Sequence, residues 1–176
     1  MNVPLGTHPP APGAAIRPLR ARDRPAVARI LESTGNFTPV EIATALELVD
    51  AWLASGESSD YYCLVLDAGA GAEPEHIDVQ GYVCYGPTPL TESTFDLYWI
   101  AVDRASQGKG FGRLLVEVTE REVRQRHGTL LLIETSSQES YGNTIQFYER
   151  GGYELVARIP NFYRAGDDKL IFAKSL

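Results

Sequence analysis

The chain has few of the residues that build metal sites and disulfide frameworks. It holds only two cysteines, Cys63 and Cys84, and three histidines among 176 residues. His8, His76 and His127 stand far apart and none is paired with a cysteine at a ligand spacing, which argues against a metal site. Each cysteine lies within an apolar, strand-like segment. We therefore expect two buried, reduced thiols.

Long apolar runs are also missing. No stretch approaches the roughly 18 apolar residues that a membrane span needs. The first residues, MNVPLGTHPPAPGA, lack the basic start and apolar centre of a signal peptide. Their proline, glycine and alanine content predicts a flexible tail over residues 1–14, followed by a single domain over residues 15–176. Together these features predict a cytoplasmic protein.

Positive charge is scarce. The chain has 16 Lys and Arg against 23 Asp and Glu, a net charge of −7. An acidic surface argues against nucleic acid as a partner, because contacts to phosphate supply most of that affinity. It is compatible with attraction of a cationic amine, although it equally serves solubility.

The first half of the chain alternates between helix and strand patterns. Ala15–Arg20 reads as a strand, and Asp23 is suited to cap the helix that follows. A second helix begins at the capping box of Thr38 and Glu41 and ends at Gly56. Strands are then predicted at Tyr61–Ala68, Ile77–Gly86 and Thr94–Val102, with a turn over Gly69–Glu75.

In the second half, an amphipathic helix lasts to about Arg126. Thr129–Thr135 is a nearly continuous apolar run, typical of a strand buried on both faces. A short helix carries Tyr148, and the strands Tyr153–Ile159 and Asp168–Leu176 close the chain. The pattern predicts an α/β (α+β) fold, with a mixed, mostly antiparallel sheet of six to seven strands flanked by about four helices.

The most informative segment is the loop Gln107-Gly-Lys-Gly-Phe-Gly112, which lies between a strand and an amphipathic helix. The start of a helix has unpaired amide groups and a partial positive charge. Glycines let such a backbone approach a bulky anion, and Lys109 and Arg113 add charge nearby. The loop is therefore suited to bind phosphate, although a glycine-rich turn alone also occurs for purely structural reasons.

Two common phosphate loops do not fit this segment. It lacks the Lys-Ser/Thr pair of a nucleoside triphosphate loop, and no early strand with a ribose-binding acid supports a dinucleotide fold. The spacing Gln-x-x-Gly-x-Gly resembles instead the coenzyme loop of the GNAT superfamily, the acyl-CoA N-acyltransferases. The resemblance extends over about Ala15–Leu176 and implies that fold.

The resemblance implies acetyl transfer from acetyl-CoA, as co-substrate, to a primary amine of a small molecule or of a protein. It implies that the pyrophosphate of coenzyme A contacts the loop, and that the preceding strand parts from its neighbour and pairs with the pantetheine arm. The residues expected in these contacts are Trp99, Ile100, Ala101 and Val102 in the strand, and Gln107, Gly108, Lys109, Gly110, Phe111, Gly112 and Arg113 in the loop and helix.

A second block, Ser140–Tyr153, is similar to the family's helix that carries a proton-donating tyrosine. Tyr148 matches that tyrosine, which protonates the departing thiolate. Tyr141 stands where the family usually has Asn, and Thr144 where it has Ala. The alternative for Tyr148 is structural, with its ring on the core and its hydroxyl in water.

Two carboxylates are candidates for the general base. Asp96 lies three residues before Trp99, and strand periodicity predicts that Asp96, Tyr98 and Ile100 share one face. Glu134 follows the apolar run at the sheet's edge, where we expect it to be partly desolvated and to take the proton or hold the amine. A solvent-facing carboxylate is the alternative for Asp96.

Aromatic residues and the segment Asn161–Asp168 are candidates for an ammonium-binding acceptor site. For Asp167 and Asp168 we favour a simpler interpretation, a polar hairpin turn. The alternative function is an acyl-CoA-binding sensor without turnover. The resemblance also makes a homodimer an expectation, because dimers are common among similar proteins.

Overall fold

A computed structural model describes residues 14–69, 78–138 and 141–176. These residues form seven strands and four α-helices in one layered domain. In chain order they are β1 (Ala15–Pro18), α1 (Arg24–Thr34), α2 (Pro39–Ser55), β2 (Tyr62–Asp67), β3 (Val79–Pro87), β4 (Thr94–Val102), α3 (Phe111–Gln125), β5 (Leu130–Ser136), α4 (Gly142–Arg150), β6 (Glu154–Arg164) and β7 (Asp167–Ser175).

The strands form one sheet in the order β1-β2-β3-β4-β5-β7-β6. Only β4 and β5 run parallel, and every other neighbouring pair is antiparallel. The parallel pair requires a crossover, and α3 provides it. The predicted fold class, with its mixed, mostly antiparallel sheet and four helices, is confirmed.

The two early helices begin in different ways. At α2 the predicted capping box is present, since the amide of Glu41 donates to the Thr38 hydroxyl and the Thr38 amide donates to the Glu41 carboxylate. At α1 Asp23 occupies the capping position but makes no cap hydrogen bond. Its carboxylate accepts from Arg17 at 2.6 Å and from the amide of Arg20 at 2.8 Å instead. The predicted capping role of Asp23 is wrong, because the buried guanidinium competes for the carboxylate.

Two apolar cores lie on opposite faces of the sheet. α1 and α2 cover one face with residues such as Ile30, Val49 and Trp52. α3 covers the other face with residues such as Leu115, and α4 contributes Tyr148. Below, these are the α1–α2 face and the α3–α4 face.

The prediction that the fifth strand is buried on both faces is wrong. Leu131 and Ile133 are buried on the α3–α4 face, whereas Leu130 and Leu132 are only half-buried. The reason is that α1 packs against β3 and β4, and α2 against β2, so the α1–α2 face of β5 is left open. This open face adjoins the site described below.

Several strand limits differ from the prediction. β6 extends to Arg164, five residues beyond the predicted end, and β1 ends at Pro18. Both cysteines are buried and reduced, as expected. Nearly all of the predicted tail and of the Gly69–Glu75 turn lies outside the described residues. Of the helices that the structure describes, none is long and apolar enough to cross a membrane.

Candidate active site

The strands β4 and β5 are paired over only part of their length. Four residue pairs join them, from Thr94–Leu130 to Leu97–Ile133. β4 continues to Val102 and β5 to Ser136, yet no further pairing joins these two described strands. The backbone of Tyr98–Val102 therefore has an edge without a strand partner in the middle of the sheet. This is the parted strand edge that the resemblance implies.

A β-bulge at Tyr98 changes which face the following side chains occupy. Leu97 and Trp99 pair with adjacent residues of β3, so Tyr98 is an extra residue in β4. Ile100 packs into the α3–α4 core, whereas Tyr98 and Trp99 pack on the α1–α2 face. The prediction that Asp96, Tyr98 and Ile100 share one face is therefore wrong for Ile100.

The glycines of the loop before α3 serve its backbone conformation. Gly108 and Gly110 have φ angles of 77° and 81°, which a residue with a Cβ adopts only at a cost. Gly110 is the N-cap of α3, and the helix's first hydrogen bond runs from the amide of Leu114 to the carbonyl of Gly110 at 3.1 Å. The three amides in between have no helical acceptor and are available to an anion.

Side chains fasten this loop to the sheet. The Gln107 side-chain amide donates to the carbonyl of Val102 at 3.3 Å. Lys109 Nζ donates to Ser106 Oγ at 3.2 Å, and Ser106 Oγ donates to Gln80 Oε1 at 2.7 Å. Gln107 and Lys109 thus help to fix the conformation of the loop. Their place in the motif predicted contacts to coenzyme A but not this structural role.

Gly112 lies in the first turn of α3, where no positive φ requires glycine. A Cβ there would lie 3.7 Å from the ring of Phe147 and 3.9 Å from Val102, which is ordinary van der Waals contact. Glycine inside a helix costs about 1 kcal/mol relative to alanine. The protein's own packing therefore does not require glycine at this position, whereas a ligand approaching the helix amides closely would favour it.

Three other residues that were predicted to contact coenzyme A have side chains that are less available to a ligand than the motif suggests. Arg113 is paired with Glu117 at 2.6 Å on the exposed side of α3, so its charge is shared. The side chains of Phe111 and Ala101 are buried in the two cores. Only their backbone groups are therefore available to a ligand.

Tyr148 lies in α4 with its ring in the α3–α4 core and only 3% of its surface exposed. The ring packs against Phe147, Tyr153 and Phe172 at centroid distances of 5.3 to 5.9 Å. Burial raises the pKa of Tyr148, and Tyr141 adds to the rise, so the hydroxyl keeps its proton at neutral pH. The packing expected in the structural alternative is confirmed for the ring, and the proton-donor role stays a prediction.

Asp96 lies between Phe95 and Leu97, which both pack into the α3–α4 core, so its carboxyl is on the α1–α2 face. Thr88 Oγ1 donates to it at 2.6 Å, and no described cation lies within ion-pair distance. Desolvation raises the pKa of Asp96 despite the Thr88 hydrogen bond, and the charge of Glu134 adds to the rise. An unpaired carboxylate with a raised pKa is what a general base requires.

Glu134 differs from its prediction in one respect. Its side chain is 47% exposed and forms an ion pair with Lys169 Nζ at 2.5 Å. The side chain is thus only partly desolvated, as expected, and the ion pair with Lys169 is the feature that the prediction missed. Glu134 nevertheless lies within electrostatic reach of Asp96, across the two strands.

Asp167 and Asp168 have structural partners at the β6–β7 hairpin, in agreement with the simpler interpretation, and they hold more than the turn itself. Asp167 accepts hydrogen bonds from Ser136 Oγ, at 2.5 Å, and from Gln138. Asp168 accepts from the amide of Asn161 at 2.8 Å. Both carboxylates are buried, and they hold the β6–β7 hairpin beside the end of β5.

Comparison with known proteins agrees with this geometry. The family model of the acetyltransferase (GNAT) domain matches residues 59–155, more than half of the chain. A solved GNAT-family protein from Desulfovibrio desulfuricans is 44% identical over 92% of this chain and 98% of its own, with a TM-score of 0.84. The chain belongs to the GNAT acetyltransferase family. A comparison with curated protein sequences gives no match.

More distant GNAT structures share the fold. The ribosomal-protein-S18-alanine N-acetyltransferase of Escherichia coli is 22% identical over 92% of this chain and 93% of its own, with a TM-score of 0.70. The Salmonella typhimurium protein yncA, solved with its cofactor acetyl-CoA, is 20% identical over 93% of this chain and 94% of its own, also with a TM-score of 0.70. At such identities the likeness shows the fold alone.

The structure adds residues to this GNAT site that the sequence did not single out. Thr88 donates to Asp96, Lys169 pairs with Glu134, and Phe147 lies beside Gly112. None belongs to the glycine loop before α3, and they lie directly after β3, in β7 and in α4. Only Phe147, adjacent to Tyr148 in the matched helix, lay within a recognised motif.

Proposed function

We propose that this GNAT protein transfers the acetyl group of acetyl-CoA directly to a primary amine. The observation that carries the proposal is the parting of β4 and β5 after Leu97, beside the amides that open α3. An interior strand edge without a partner is suited to bind a ligand that carries amide groups, as pantetheine does. The opening of α3, which follows β4 in the chain and contacts it through Gly112 and Val102, is suited to the pyrophosphate.

On the coenzyme side, the proposed contacts lie on the α3–α4 face. Backbone groups of Trp99–Val102 pair with the pantetheine arm, and the amides of Gly110–Arg113 bind the pyrophosphate. Gly112, which the protein's own packing does not require to be glycine, supports this placement. Lys109 adds positive charge at the loop while bonded to Ser106.

In the reaction, the acceptor nitrogen attacks the thioester carbonyl carbon, so that a C–N bond forms and the C–S bond breaks. Asp96 takes the proton that the amine loses, because among the described residues it forms no ion pair, whereas Glu134 is paired with Lys169. The gap between the strands connects its face of the sheet with the coenzyme side. Asp is shorter than Glu, so one bridging water completes the transfer.

Tyr148 gives its proton to the departing thiolate of coenzyme A. A tyrosine whose pKa is raised by burial holds its proton until a strong base such as a thiolate is produced beside it. Glu134 then has a different role from Asp96. As an exposed carboxylate it attracts and holds the ammonium form of the acceptor.

The test measures coenzyme binding and turnover separately. Acetyl-CoA binding is measured by calorimetry, and release of free thiol is followed with acetyl-CoA and a library of amines. Background from the protein's own thiols is low because Cys63 and Cys84 are both buried. Binding with thiol release supports the proposal, binding without release for any amine or protein lysate supports the sensor alternative, and absence of binding contradicts both.

A further inference from the structure

The α1–α2 face carries a second group of side chains around the gap between β4 and β5. We call this group the vestibule, and it consists of Phe37, Asp96, Tyr98, Trp99, Glu134 and Tyr163. These residues come from the α1–α2 loop, β4, β5 and β6. The vestibule lies opposite the proposed coenzyme contacts, because the bulge at Tyr98 turns Tyr98 and Trp99 to this face and Ile100 to the other.

Aromatic rings in the vestibule are held in place by edge contacts. Phe37 packs against Trp99 with ring centroids 5.5 Å apart and an interplanar angle of 74°. Tyr61 packs against Tyr98 in the same way at 5.4 Å and 75°. Such T-shaped pairs hold their rings in fixed orientations, and a fixed ring is suited to receive an apolar body or a cation.

The charge of the vestibule is negative. Asp96 has no cation within ion-pair distance among the described residues, and Lys169 pairs with Glu134. Two carboxylates against one ammonium leave the group negative, and the carboxylates of Asp60, Glu41 and Asp167 lie within electrostatic reach of Tyr98 and Tyr163. The Tyr98 hydroxyl donates to the carbonyl of Pro87 at 3.4 Å, and the next residue, Thr88, donates to Asp96 at 2.6 Å, so the ring and the carboxylate lie close together. A ligand with one positive charge next to an aromatic body matches this arrangement.

One side of the vestibule is closed by a hydrogen bond between distant parts of the chain. The Tyr141 hydroxyl donates to the carbonyl of Asn36 at 3.1 Å. Asn36 follows α1, which packs against β4, and Tyr141 immediately precedes α4, beyond β5. The bond therefore joins segments from the two sides of the gap. The exposed Glu134 and Tyr163 mark the side that stays open.

We infer that the acceptor is a small amine with one positive charge on an aromatic or apolar body. The inference rests on the proposed function and deepens it. A polyamine has no aromatic body to pack against the rings of Tyr98 and Trp99, and an amino sugar would leave hydroxyl groups without partners against them. An amino acid would place its carboxylate beside Asp96 and Glu134, at a cost in like-charge repulsion.

The experiment compares four probe amines at saturating acetyl-CoA, with thiol release as the readout. The probes are phenethylamine, spermidine, glucosamine and phenylalanine, which represent the inferred class and the three excluded ones. We expect kcat/KM for phenethylamine to exceed that for each other probe by about tenfold or more. Calorimetry with protein loaded with coenzyme A measures phenethylamine binding independently of turnover.

Two variants test whether the vestibule is the binding site. Glu134→Gln removes the exposed carboxylate, and we expect it to raise KM for phenethylamine by about fivefold to tenfold with little change in kcat. Tyr98→Leu removes an aromatic ring, and we expect it to lower the ratio of kcat/KM for phenethylamine to kcat/KM for glucosamine. The matched control is Glu57→Gln, an exposed glutamate paired with Arg126 at 3.0 Å near the end of α3, which should leave KM unchanged.

The outcomes separate this inference from the proposed function. If acetyl-CoA binds but spermidine, glucosamine or phenylalanine is the best acceptor, or none of the four reacts, the inferred acceptor class is wrong while the coenzyme site stands. An equal rise in KM for Glu134→Gln and Glu57→Gln also overturns it. Failure of acetyl-CoA to bind overturns the proposed function, and this inference with it.

Discussion

At the scale of single residues, the site assigns different environments to two side chains with proton-transfer chemistry. Tyr148 is enclosed by aromatic rings in the α3–α4 core, and Asp96 is on the other face, bonded to Thr88. Burial raises the pKa of both groups. For a phenol this preserves a proton to donate, and for a carboxyl it creates a stronger base, so one physical cause serves two opposite tasks.

The role of Tyr148 is tested by replacement with phenylalanine. Tyr148→Phe keeps the ring packing and removes the proton, so we expect kcat to fall about 100-fold with coenzyme affinity nearly unchanged. Steady-state kinetics and calorimetry measure the two quantities. Tyr153→Phe is the control, because the Tyr153 hydroxyl donates to Glu120 at 3.1 Å within the core. A large loss of coenzyme affinity in Tyr148→Phe would contradict the acid role.

The role of Asp96 is tested through the dependence of kcat/KM on pH. A base acts in its deprotonated form, so the rate should rise with pH as Asp96 titrates, above the ordinary range of an aspartic acid. Asp96→Asn should lower kcat/KM about 100-fold and remove this rise. Thr88→Val removes a hydrogen bond that lowers the pKa of Asp96, so the rise should move to higher pH. An unchanged profile in Thr88→Val would exclude Asp96 as the titrating group.

At the scale of elements, two glycines at the start of α3 differ in whether the backbone conformation requires glycine. Gly110 has a positive φ, which any other residue would adopt under strain, whereas Gly112 has helical geometry and room for a Cβ. The first therefore supports the fold of the loop. The second has no such role in the fold, and the proposed function interprets it as permitting the coenzyme to approach the helix start.

This difference predicts opposite effects on stability for two alanine variants. Gly112→Ala should increase the free energy of unfolding by about 0.5 to 1 kcal/mol through helix propensity, yet weaken acetyl-CoA binding. Gly110→Ala should lower the free energy of unfolding by about 1 kcal/mol and weaken binding as well. Urea unfolding and calorimetry measure the two effects. Unchanged coenzyme affinity in Gly112→Ala would show that no ligand uses that space.

At the scale of the whole molecule, a buried ionic cluster ties the edge of the sheet to α1. Arg17 in β1 contacts Asp67 in β2 at 2.8 Å and Asp23 before α1 at 2.6 Å. Asp23 is fully buried, so its loss leaves a guanidinium with one of its two carboxylates. The cluster positions α1 over β3 and β4, and thereby the loop that closes the vestibule.

Asp23→Asn should therefore lower the free energy of unfolding by about 3 kcal/mol, measured by urea titration. Hydrogen bonds from Arg17 and the Arg20 amide lower the pKa of Asp23 although burial opposes them. Its contribution is thus present above the ordinary aspartic acid pKa and is lost as pH falls through the lower folded value. Asp50→Asn is the control, since the exposed Arg24–Asp50 pair should contribute less than about 1 kcal/mol. Equal losses in the free energy of unfolding for Asp23→Asn and Asp50→Asn would contradict the stabilising role of the buried ionic cluster.

The amino-acid sequence by itself determined the fold class and the backbone of the glycine loop before α3. Both depend on local patterns: apolar periodicity sets each helix and strand, and the glycines at 108, 110 and 112 set the backbone before α3. The capping box of Thr38 and Glu41 likewise acts over one helical turn. Local patterns can be recognised in a sequence because the interacting groups are near neighbours in the chain.

Only the tertiary structure decided which groups share the acceptor side of the sheet. The bulge at Tyr98 depends on the register of β3, and the exposure of Glu134 depends on where α1 and α2 end. The Tyr141–Asn36 bond joins residues 105 positions apart. A bulged strand shifts every following side chain to the other face, and the sequence carries no local signal for it, because the partner strand and not the strand itself fixes the register.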